Sequence, residues 1–130
     1  MRRDLENRAD IDELMIRFYR IAMADATIGY IFDAAELDLK HHLPIIGDFW
    51  EALLFGGDAY QRHRRNPLRI HAELNEKTPL RTEHFERWLE IFREQVDESF
   101  AGERADFIKF RAEKIANRMI SYVRVPAVAT

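Results

Sequence analysis

The sequence predicts an all-α fold with four principal helices and shorter connecting ones. Three observations carry that prediction. Apolar residues recur every three or four positions in four long stretches, Gly and Pro fall between those stretches, and no alternating apolar–polar run reads as a strand. With 130 residues and no linker-like segment or internal repeat, the chain predicts a single domain over residues 1–130. Nine Phe, four Tyr and two Trp point to a core built around flat, bulky groups.

The first helix is expected from Asp10, read as its cap with Glu13 three residues on, to about Ala26. Its apolar face is Ile11, Leu14, Met15, Phe18 and Ala22, with Tyr19 at the edge. Gly29 reads as a stop, followed by a tight turn and a short helical piece carrying Tyr30, Ile31 and Phe32. The second long helix is announced by His41, His42, Leu43 and Pro44 and carries Ile46, Phe49, Trp50, Leu53 and Leu54 on one face. His42 lies one turn before Ile46 and so faces inward too.

Gly56 and Gly57 end that helix, and Asp58 to Arg65 is expected as a polar connection holding the basic run R-H-R-R at positions 62–65. That run reads as a solvated loop or as a partner for an anionic ligand group. Asn66 and Pro67 then give a clear helix start for the short segment to Asn75, in which Leu68, His71 and Leu74 share a face. After a connector, a helix starting near Thr78 or Thr82 and reaching Phe100 places Phe85, Trp88, Leu89, Phe92 and Val96 inward. The last helix is expected from Arg104 to about Val123, with Pro126 ending the order and residues 1–9 and 124–130 fraying.

Composition excludes several classes. A formal charge of −3 argues against a nucleic-acid or anionic-membrane binder. Zero cysteines exclude disulfides, thiolate zinc sites and iron–sulfur clusters, and fit a cytoplasmic location. No apolar run reaches membrane-spanning length and no secretory signal is visible. Gly56-Gly57 is no phosphate loop, Ser99 and Ser121 lack a nucleophile elbow, and Glu83-His84 lacks the Glu-x-x-His spacing of a diiron bundle. Two inward histidines, His42 and His71, remain, with Tyr19 and Trp88 supplying polar tips. They read as core histidines, as a two-histidine metal site, or as the two sides of a haem, which needs only one imidazole and a large apolar cleft.

From about Ile11 to Tyr122 the chain resembles the truncated haemoglobins, and within them the third group. The resemblance rests on an ordered set: F-Y at Phe18-Tyr19, I-F at Ile31-Phe32, H-L-P-I-I-G-D-F-W from His42 to Trp50, P-L-R-I-H from Pro67 to His71, and F-E-R-W-L-E-I-F from Phe85 to Phe92. It implies a two-over-two helical sandwich around haem b. His71 matches the proximal iron ligand, and Tyr19, His42, Trp88 and Ile46 match the distal side, with His41 as a competing register for His42. Phe32, Phe49 and Leu68 are expected to contact the haem, while Leu39 departs from a Trp that members often carry there. Arg64, Arg65 and Arg69 are candidates for the haem carboxylates.

The resemblance also implies reversible binding of dioxygen or another diatomic ligand, with Tyr19 and Trp88 as principal donors and His42 as gate or secondary partner. An enzymatic alternative is haem redox chemistry on nitric oxide or peroxide, fed by an external reductase. A haem-free helical interaction module is the third reading. The expected state is a monomer with no nucleic-acid or membrane partner.

Overall fold

The computed structural model describes residues 2–129, with side chains from residue 2 to residue 123. It is all-helical: α1 (Arg8–Ala24), α2 (Gly29–Ala34), α3 (Leu39–Phe55), α4 (Pro67–Lys77), α5 (Thr82–Ser99) and α6 (Glu103–Ala129), with a 3₁₀ turn at Ala59–His63. Among the described residues there is no strand, only an isolated bridge between Arg3 and Phe100. The α1–α3 and α5–α6 pairs pack internally and meet where α1 contacts α5, which is the two-over-two sandwich. Leu14, Phe18, Ile91, Phe92, Val96 and Ile108 are fully buried at that junction.

Helix starts differ from expectation where a side chain had two uses. Asn7, not Asp10, caps α1, accepting the Asp10 N–H at 3.1 Å. Asp10 is instead buried and receives both guanidinium nitrogens of Arg3, at 2.8 and 2.6 Å. Gly29 opens α2 rather than ending α1, because Asp25 turns the chain by accepting from the Thr27 and Ile28 N–H groups. A Cβ at Gly29 would lie 2.6 Å from the Met23 carbonyl oxygen, so the corner needs glycine. α3 begins at Leu39 and takes Pro44 into its interior. That costs one backbone bond, the one Lys40 would accept.

The N-terminal segment, expected to fray, is anchored. Leu5 is fully buried, and Ala101 N–H donates to the Arg3 carbonyl at 3.0 Å. Asp4 caps α6 across the chain, accepting from Arg104 N–H at 2.9 Å and Ala105 N–H at 2.8 Å. Gly102 sits at φ +142° with no room for a Cβ beside Asp4. Fraying after Val123 was expected of residues whose side chains lie outside those described; the helix as assigned continues through Pro126 to Ala129. No described helix is long and apolar enough to cross a membrane.

Candidate functional site

α4 starts cleanly because Asn66 accepts the Arg69 N–H at 3.2 Å and Pro67 occupies the first helical position. One turn on, His71 Nδ1 lies 2.7 Å from the Pro67 carbonyl oxygen. A carbonyl only accepts, so Nδ1 carries the proton and Nε2 keeps a free lone pair. Burial lowers the His71 pKa against the opposing pull of the Pro67 bond, and the Arg65 charge lowers it further. The ring is therefore neutral, the form that ligates a metal.

His71 faces a cavity of about 340 Å³ whose wall is drawn from all six helices. That volume falls in the range of small-molecule sites. Tyr19, Phe32, His42, Ile46, Phe49 and Trp88 line it. Leu68 does not. At about 100° per residue, the cavity-facing Pro67, Ile70 and Leu74 lie on one side of His71 along α4 and Leu68 lies on the other. Helical spacing puts Leu68 and Leu74 equally near His71 and does not say which side meets the cavity.

Tyr19 and His42 form a pair, with the phenol oxygen 2.8 Å from Nε2 and the rings edge-on at 5.2 Å. His41 is exposed, so His42 is the histidine that reaches the cavity. Burial, aided by the nearby Arg65 charge, brings the His42 pKa down to about 4, so its ring is neutral. Burial pushes the Tyr19 phenol up, and it keeps its proton. Trp88 stacks on Phe92 at 5.4 Å and meets the Phe18 edge at 5.8 Å. Its indole N–H makes no hydrogen bond to another described residue and remains available as a donor.

Three polar residues of the wall were not singled out as distal groups. Tyr60 comes from the 3₁₀ turn and packs on Phe49 at 5.0 Å. His84 is buried; its Nδ1 accepts the Arg81 N–H at 3.0 Å, so its other nitrogen donates to the Tyr30 oxygen at 3.2 Å. Arg65 alone of the three candidate arginines lines the cavity, while Arg69 is paired with Glu73 at 3.1 Å. A helical-period reading skips Tyr60 and Arg65 because both lie outside the α-helices.

Among the described residues, no group of three His, Cys, Asp or Glu side chains converges as a polydentate metal site. The donor set at the cavity is one neutral imidazole with a free Nε2, in a largely aromatic and aliphatic wall with a cation at its rim. Those residues fit haem.

No protein-family model matches the chain. The group 3 truncated hemoglobin ctb of Campylobacter jejuni is 33% identical over 115 residues, which are 85% of this chain and 86% of that protein. A crystal structure of group III truncated hemoglobin from Campylobacter jejuni aligns with a TM-score of 0.81 at 31% identity, covering 95% of each chain. With that identity over most of both chains, the same helical order and a fitting cavity, this chain belongs to the group 3 truncated haemoglobins and is a globin-type haem protein.

Proposed function

We propose that the chain holds haem b through His71 and reversibly binds dioxygen or another diatomic ligand. The observation that carries this reading is the His71 ring itself, protonated on Nδ1 toward Pro67 and presenting Nε2 to an apolar cavity shared with Tyr19, His42 and Trp88. When bound, haem supplies an iron with one position for an imidazole and another for a diatomic ligand.

The protein's own residues then do four things. The Pro67 carbonyl fixes the imidazole tautomer and raises its basicity. Arg65 offers a counter-charge for the haem carboxylates at the cavity rim. Tyr19 and Trp88 stabilise negative charge developing on the ligand, inside a wall dry enough to make each bond count. His42 acts as a positioning residue: in its Nε2–H tautomer it donates to the Tyr19 oxygen, leaving the phenol proton for the ligand.

An absorption spectrum tests the core of this. The purified protein with haem is expected to show a Soret band that His71→Ala shifts or abolishes. A missing band, or one identical in the variant, overturns the assignment and supports a haem-free helical module.

A further inference from the structure

Beside the haem cavity lies a second depression of about 360 Å³, lined by Lys40, His41, Pro44, Ile45, His63 and Arg65. No carboxylate lines it, although the chain as a whole carries three more negative than positive charges. Its polar side chains come from two separate pieces of chain, the first turn of α3 and the stretch from the end of the 3₁₀ turn to just before α4. Among the described residues, Lys40, His41 and Arg65 have no carboxylate within ion-pair distance; His63 is held by Asp48 at 2.8 Å. Lys40 and Arg65 are unpaired cations on one concave surface and repel each other, and an anion placed between them, with the His41 ring as a further N–H donor, removes that repulsion. Pro44 and Ile45 add apolar surface to the same lining.

We propose that this depression is a second binding site, taking a small multivalent phosphate-type anion and acting on the haem cavity through Arg65. Arg65 and Ile45 line both spaces. An anion bound here draws on the same guanidinium that faces the haem carboxylates and sets like charges on either side of it. The anion and the haem therefore oppose each other, and by linkage the effect is mutual. The concave shape favours a small molecule over a flat acidic protein face.

Calorimetric titration of the full-length protein as purified with pyrophosphate at low ionic strength tests the site, with sodium chloride of matched ionic strength as control. One saturable binding event is expected, weakened roughly tenfold or more in Lys40→Gln/His41→Gln. Both positions are exposed, so the double variant folds. Unsaturable heat, or equal affinity in the variant, overturns the site. The coupling, which rests on the haem reading above, is tested by haem transfer to excess apoglobin: pyrophosphate is expected to speed it in the original protein and not in the variant. Pyrophosphate binding without any acceleration overturns the coupling. A protein with no Soret band fails the haem reading, whereas the calorimetry judges the anion site separately.

Discussion

His71, His42 and His84 face one cavity, but different partners fix their protons. His71 gives its Nδ1 proton to a carbonyl, His84 accepts a backbone N–H on Nδ1, and His42 spends Nε2 on Tyr19. The sequence marked His71 and His42 by their helical faces, yet it could not order their protons, since each partner lies on a particular backbone atom or a distant helix. Two outcomes belong at this scale. A donor bond in a dry pocket contributes on the order of 1–1.5 kcal/mol, so Tyr19→Phe and Trp88→Phe should each speed dioxygen dissociation roughly tenfold, measured by stopped flow. Unchanged rates in both variants refute the donor assignment. The second outcome concerns pH. His42 titrates near 4 in the folded chain against an ordinary 6.5, so between those values the unfolded chain binds a proton that the native one does not. Stability should fall as pH drops from 6.5 to 5, and thermal midpoints of His42→Leu should fall less over that range. Equal slopes would show that His42 does not carry the effect.

At the scale of elements, α4 was the most legible piece because both of its start signals act locally. Asn66 reaches an N–H three residues away and Pro67 needs only its own ring. Asn66→Ala should cost about 1 kcal/mol. Because α4 carries His71, the variant should also release haem faster to an apoglobin acceptor; retention equal to the original would separate helix stability from haem grip. α1, α2 and α3 were legible as helices but not in their starts. Asp10 has the composition of a cap, yet Arg3 claims it, and Gly29 has the look of a stop, yet the neighbouring Met23 carbonyl is what demands it. Leu68 shows the same limit on a helix face. Spacing told which residues are near one another on α4, while packing told which side of His71 meets the cavity.

Across the whole molecule, long-range ties hold the sandwich together. Arg8 reaches Asp48 at 2.7 Å and Glu51 at 3.1 Å, linking α1 to α3 over a point where Gly47 leaves room for its guanidinium. Arg87 on α5 binds Asp25 at 2.8 Å at the end of α1 and holds that carboxyl below its ordinary range. Residues 3–5 close the other end, with Asp4 capping α6 and Leu5 inserted in the core. Leu5→Ala should therefore destabilise the protein by about 2–5 kcal/mol in denaturant unfolding, as a fully buried leucine does. A change below about 0.5 kcal/mol, the size of a surface effect, would show the segment to be dispensable. Nothing near Leu5 in the chain signals its burial, since its neighbours are charged and its partners are distant in sequence.

The sequence by itself determined the helical class, the four main helices, the inward faces of Tyr19, His42, His71 and Trp88, and through an ordered set of motifs the family. These follow from local propensity and from periodicity along one helix, which neighbouring residues carry in full. Tertiary structure alone decided that Tyr19 meets His42, that Arg65 stands at the cavity rim and again in a second basic depression, and that Asp4 and Leu5 anchor the N-terminus. Each of those depends on how separate elements pack, and no spacing within a single element encodes it.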